Sequence, residues 1–302
     1  MKNLRGRLYT ILAFALVIST ASCNPAAAPL TATIPPTATA APTIQPGDST
    51  RTLTVNGLKR DYLLHIPPGL DRTRALPVVL AFSGAGMTPS TMQTMTGFND
   101  VADKENFLVA YPKGTGSSDS ELSWNAGICC GDAVKNNVDE AAFVRQIIAD
   151  LGTIVDIDTK HIYAVGFSNG GVLLYGLACQ MSNTFAAIAP VSGLLVVSPC
   201  QPQQPVSVIH VHGTADPLID IAGAEQSIVT WAQLDGCTGS AHVEKLGTVI
   251  THAVHDSCRA GTAVELYTIS GGKHEWPSNK LLPTAEVWPT IIWTFFAAHP
   301  KP

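Results

Sequence analysis

Along this chain the hydrophobic positions follow two periods. Short continuous apolar runs fall at 77–82 (PVVLAF), 107–111, 162–165, 185–191, 206–211 and 264–269, the form of strands buried on both faces. Between them, residues 138–155 set Phe143, Ile147 and Leu151 beside Val144 and Ile148, which is the spacing of one buried helical face. Residues 90–104, 226–234 and 285–298 read as further helices, and 53–55 and 62–66 alternate around Asn56-Gly57, a strong hairpin signal. Residues 112–138 carry little periodicity and read as a long loop over the sheet. Strands alternating with helices predict an α/β fold: a mostly parallel central sheet, an antiparallel hairpin at its start, and helices on both faces.

The first fifty residues obey neither period. Lys2, Arg5 and Arg7 precede an apolar run over 8–18, too short to span a membrane and shaped like an export signal. It ends in Thr20-Ala21-Ser22-Cys23, similar to a lipoprotein cleavage box, although Thr20 stands where Leu is usual. Residues 1–23 are therefore expected to be a signal with lipidation at Cys23, the alternative being ordinary cleavage nearby that leaves a secreted chain with Cys23 as a spare thiol. Residues 24–50, almost all Ala, Pro and Thr, would form an extended tether that lifts a catalytic body, residues 51–302, off a membrane surface. A body of this size with 46% hydrophobic residues can bury a large core as a single monomeric domain. The formal net charge of −5 and the lack of a basic cluster argue against a nucleic-acid partner.

The seven cysteines leave six once Cys23 is set aside, an even number that suits disulfides in an exported chain. Cys237 and Cys258 flank an expected strand pair, and Cys179 and Cys200 flank the segment after the helix that Val172, Leu173 and Leu174 are expected to start; those are the expected bridges. The adjacent Cys129 and Cys130 would pair with each other or stay reduced, unless the pairing differs altogether.

The chemistry centres on residues 162–176, IYAVGFSNGGVLLYG, which read as strand, sharp turn, helix. A Gly-x-Ser-x-Gly at such a junction forces Ser168 up with its hydroxyl exposed. The turn also aims the Asn169 amide and the positive end of the helix at the same point, where an oxyanion would form. The second donor is expected in Ser83-Gly84-Ala85-Gly86, after the first buried strand, from the Ala85 amide or, second, that of Gly84.

A serine needs a base, and the base needs a carboxylate. In this sheet type both follow the serine, acid first. Asp216, in HGTADP at the end of the strand 206–211, is the expected acid, while Asp220 reads as a helix cap. His274, in GGKHEWP after the strand 264–269, is the expected base. His210 and His212 alternate as metal ligands do, but no third ligand of suitable spacing follows. Neither a metal nor another cofactor is expected, and His212 is read as fixing its loop by hydrogen bonds.

With GFSNGG, HGTADP and GGKHEWP in that order, the body resembles the polyhydroxybutyrate-depolymerase-like and feruloyl-esterase-like group of α/β-hydrolases; Trp124 before Cys-Cys-Gly and Trp231 ahead of Gly236-Cys237 add to the match. The resemblance implies a serine esterase with Ser168 as nucleophile, Asp216 as acid and His274 as base. Its expected substrates are feruloyl or acetyl esters of plant polysaccharide, or a polyhydroxyalkanoate-type polyester. Trp124 and Trp276 are the candidates to stack on a sugar or an aromatic acyl group, or else pack within the protein. The chain departs from the group at Ser83-Gly84, where His-Gly is more frequent, and at Lys273, which enlarges a glycine-rich approach to the histidine. Two readings from other classes stand beside it: a non-catalytic surface-binding lipoprotein on a hydrolase scaffold, and a serine peptidase of the same fold.

Overall fold

A computed structural model describes residues 45–128 and 130–301. The expected export signal, Cys23, most of the tether and Cys129 lie outside the described residues. The chain forms β1 (Gly47–Val55), β2 (Leu58–Ile66), β3 (Leu76–Phe82), α1 (Pro89–Thr96), α2 (Phe98–Glu105), β4 (Leu108–Pro112), α3 (Gly131–Lys135), α4 (Glu140–Leu151), β5 (Ile157–Phe167) and α5 (Asn169–Gln180). It continues through β6 (Ala187–Val191), β7 (Ser207–Gly213), α6 (Ile221–Leu234), β8 (His242–Leu246), β9 (Ile250–His255), β10 (Val264–Ile269) and α7 (Trp288–Ala298).

The strands make one sheet in the order β1-β2-β4-β3-β5-β6-β7-β10-β9-β8. Its centre, from β4 to β10, is parallel. The β1-β2 hairpin and the β9-β8 pair extend it antiparallel at either edge. Alternation within a strand divides the core between the two faces: Val78, Leu80 and Phe82 of β3 pack with Phe143 and Ile147 of α4 and with α5, whereas Val79 and Ala81 pack with Phe98, Trp288, Ile292 and Phe296.

Several element boundaries differ from expectation: α6 starts at Ile221 and not at 226, and three others differ for a local reason. The helix expected over 90–104 is two helices, because Gly97 takes φ 68° and closes α1 with its amide on the Gln93 carbonyl. The helix expected from 285 starts at Trp288, where Pro289 in the first turn fits a helix start and not its interior. The sheet starts at Gly47, ahead of the boundary expected at residue 51, because 47–50 pair with 63–66 across the hairpin. Asp220 caps α6, its side chain accepting from the Ala222 amide.

The bridges Cys179–Cys200 and Cys237–Cys258 both form, and Cys130 is disulfide-bonded as well. No helix among the described residues is long and apolar enough to cross a membrane.

Beside the second bridge lies a buried carboxyl, Asp235. Its Oδ1 accepts from the Val206 amide at 3.3 Å, and its Oδ2 meets no hydrogen-bond partner among the described residues. Burial pushes this group up to about 7, against the bond from the Val206 amide, which pulls the other way. Because the folded value lies above the unfolded one, its contribution to stability is complete below the ordinary carboxylate range and is lost as pH rises through about 7. Asp235→Asn will remove this slope, making the variant more stable than the parent at pH 8 by on the order of 2–4 kcal/mol and no more stable at pH 4. Urea midpoints at the two pH values test it, and equal pH slopes in the two proteins would refute it.

Candidate active site

The site stands above the carboxyl ends of the central strands. Ser168 is the single residue between β5 and α5 and takes φ 54°, ψ −119°, a conformation that costs a side-chain-bearing residue on the order of 1–3 kcal/mol. Its amide donates to the Val191 carbonyl of β6 at 2.9 Å, and its carbonyl accepts from Val172. The turn depends on close backbone approach: a Cβ on Gly170 would lie 2.4 Å from the Phe82 carbonyl oxygen, so only glycine lets the helix reach the end of β3 there.

Asp216 follows β7 and His274 follows β10, which are parallel neighbours in the sheet. Their loops are laced together. Thr214 N donates to Ile269 O and Ala215 N to Gly272 O, each at 2.9 Å, and a Cβ on Gly213 would fall 2.3 Å from the Gly272 oxygen. The lacing sets the two side chains in line with the serine. His274 Nδ1 lies 2.7 Å from Asp216 Oδ2, and Nε2 lies 2.7 Å from Ser168 Oγ.

The protonation of this line follows from its partners. Asp216 Oδ1 accepts from the Leu218 and Ile219 amides, each at 2.9 Å. Burial would raise its pKa, but these two bonds and His274 outweigh it and hold the carboxyl below its ordinary range. A carboxylate only accepts, so His274 Nδ1 carries the proton it shares with Asp216. In the neutral ring Nε2 is then an acceptor for the Ser168 hydroxyl. The Asp216 side chain is fully buried and that of His274 is 12% exposed, so water competes little for either bond.

The loop after β3 reaches the same place. A Cβ on Gly84 would lie 3.3 Å from Ser168 Cβ, which puts the backbone of Gly84 beside the hydroxyl. The Gly86 and Met87 amides are spent on Leu122 O and Gly84 O, which leaves those of Gly84 and Ala85 as the ones the turn does not use among the described residues. Ser83 closes the turn with Oγ on the Met87 carbonyl at 3.1 Å.

Trp124 does not present its ring to a ligand. It is fully buried, edge-on to Phe82, with Nε1 donating to Ser83 O at 2.8 Å and its amide donating to Asn169 Oδ1 at 2.7 Å. The expectation that it stacks on substrate is corrected: it braces the loop after β3 against the start of α5. An indole N–H needs a partner once buried, and Trp124 finds it in a carbonyl distant in sequence. Trp276 is partly exposed on the His274 loop. His210 and His212 bond to one another at 3.1 Å between Nε2 and Nδ1.

Residues 60–249 match the family described as esterase PHB depolymerase. The chain is 30% identical over 270 residues to the putative esterase NocK of Nocardia uniformis subsp. tsuyamanensis, covering 84% of this chain and 76% of that protein. It is 26% identical over 242 residues to feruloyl esterase B of Piromyces equi, covering 74% of this chain but only 44% of that protein's length. Among solved structures, the acetyl xylan esterase from Aspergillus awamori superposes with a TM-score of 0.61 at 15% identity, covering 83% of this chain and 99% of that one.

Proposed function

This chain belongs to the esterase PHB depolymerase family, and from that premise we propose that it is a serine esterase in which Ser168 is the nucleophile, His274 the base and Asp216 the acid. The observation that carries the reading is the unbroken line of two 2.7 Å contacts from Asp216 through His274 to the Ser168 hydroxyl. In the reaction His274 Nε2 takes the Ser168 proton as Oγ attacks the ester carbonyl, and Asp216 stabilises the imidazolium. The oxyanion is held by the Asn169 amide at the N-terminus of α5 and by that of Ala85. Collapse returns the proton to the departing alcohol. Water, deprotonated by the same imidazole, then cleaves the acyl-enzyme.

The substrate class best supported is an acetyl or feruloyl ester of plant polysaccharide. Feruloyl esterase B supports it through shared sequence, and Trp276 offers a partly exposed ring for an aromatic acyl group or a sugar. The basic and apolar start of the chain and the small residues before Cys23 support export and a lipid anchor, which would set the enzyme on the cell surface.

Purified enzyme assayed on methyl ferulate, acetylated xylan, polyhydroxybutyrate and a dipeptide anilide tests the reading. Turnover of the first or second is expected. Release from polyhydroxybutyrate alone would move the assignment to polyester, and cleavage of the anilide without ester turnover would make the chain a peptidase.

A further inference from the structure

A second line of buried polar groups meets Asp216 from behind. Tyr175 lies on α5, two turns beyond Ser168, and its hydroxyl is 2.8 Å from His210 Nδ1. His210 Nε2 is 3.1 Å from His212 Nδ1, and His212 Nε2 is 2.9 Å from the Ile219 carbonyl and 3.5 Å from Asp216 Oδ2. Tyr175 and His210 are fully buried and His212 is 1% exposed, so no bulk water is available to these groups.

The direction of every proton in the line follows from its end. A carbonyl and a carboxylate only accept, so His212 Nε2 carries a hydrogen. Burial pulls the pKa of His210 and of His212 down, so both rings are neutral. His212 Nδ1 is then an acceptor, His210 Nε2 donates to it, and His210 Nδ1 accepts from the Tyr175 hydroxyl. Three donors therefore point one way, from the nucleophile helix toward the acid.

The end of the line is a clamp. Ile219 gives its amide to Asp216 Oδ1 while its carbonyl takes the His212 hydrogen, so both polar groups of one residue hold the carboxylate's turn. With Ser168 immediately before α5 and Tyr175 on it, the contacts close a ring: Ser168, His274, Asp216, Ile219, His212, His210, Tyr175 and back along the helix. A ring of this kind fixes the separation between serine and carboxylate twice over, once through His274 and once through the core.

We propose that His212, set in its tautomer by His210 and Tyr175, is a positioning residue that holds the Asp216 turn so that the carboxylate meets His274 Nδ1. The proposal rests on the triad reading for its kinetic consequence and on geometry alone for its structural one. A misplacement of a catalytic group of the order of an ångström costs about a hundredfold in rate. His212→Leu is therefore expected to lower kcat on p-nitrophenyl acetate by about ten- to a hundredfold with KM within about twofold. The rate is counted per site titrated with a fluorophosphonate, so that a partly misfolded sample does not mimic the effect.

His212→Gln, whose amide can donate to the Ile219 carbonyl, is expected to recover much of the loss. Tyr175→Phe removes one oxygen and is expected to lower kcat several-fold in the same direction. A second readout does not depend on turnover: the low-field proton resonance of the His274–Asp216 bond, which is expected to shift upfield or broaden in His212→Leu. Unchanged kcat per titrated site together with an unmoved resonance would overturn the proposal. Should the leucine variant fail to fold, the same pair of measurements on Tyr175→Phe decides it, with no change in either counting against the proposal. If the parent enzyme turned over no ester, the esterase reading would fall, and the resonance alone would decide whether His212 positions Asp216.

Discussion

Ser168→Ala will abolish ester turnover, with kcat on p-nitrophenyl acetate falling by about 10⁴–10⁶-fold while the fold survives. Only one oxygen is removed. Alanine keeps the Cβ, and the strained φ of 54° is already borne by a side-chain-bearing residue, so the turn has no new cost to meet. What disappears is the acceptor of the acyl group, and no other hydroxyl stands in line with His274 Nε2 among the described contacts. The residual rate would come from the oxyanion donors acting on water, which is why the loss is bounded. Loss of fluorophosphonate labelling with an unchanged circular dichroism spectrum would complete the test. Retention of more than about one per cent of activity would remove Ser168 from its role, whereas absence of both turnover and fluorophosphonate labelling in the parent would leave the hydrolase-scaffold binding protein as the better description.

The elements that place this serine were legible because their signals are local. PVVLAF and IYAVGF read as buried strands from runs of a few residues, and the glycines around Ser168 are fixed by backbone approaches that any sequence with this turn must allow. Asp216 and His274 could be chosen because each follows a strand that ends on the same sheet edge. What stayed hidden depends on side chains distant in sequence. Nothing near Trp124 shows that its indole will find Ser83, and nothing near His210 shows that Tyr175 will face it from the nucleophile helix. Gly97 was hidden for a different reason: the apolar spacing on its two sides continues across it, so periodicity alone reads one helix where the left-handed glycine makes two.

The largest effect on stability will come from a pair of this hidden kind. Arg60 of β2 and Glu140 at the start of α4 are joined at 3.0 Å between Nη2 and Oε2, with side chains 5% and 3% exposed. The guanidinium lies over the Phe143 ring at 4.1 Å from its centroid, and Glu140 Oε1 accepts from the Asn125 amide in the long loop at 3.1 Å. Glu140→Leu leaves a buried guanidinium whose Nε already meets no partner among the described residues, along with an orphaned Asn125 amide. Its expected cost is about 3–5 kcal/mol in urea unfolding. The pair itself is worth much less than that, because burial of Glu140 raises its pKa even with the arginine beside it, a sign that desolvation offsets most of the attraction. The double variant Arg60→Met, Glu140→Leu is therefore expected to recover to within about 1.5 kcal/mol of the parent, less stable only by what Asn125 and the Lys113 carbonyl lose. A double variant as unstable as the sum of its singles would show instead that the ion pair is a net source of stability and that the reasoning from desolvation fails at this site.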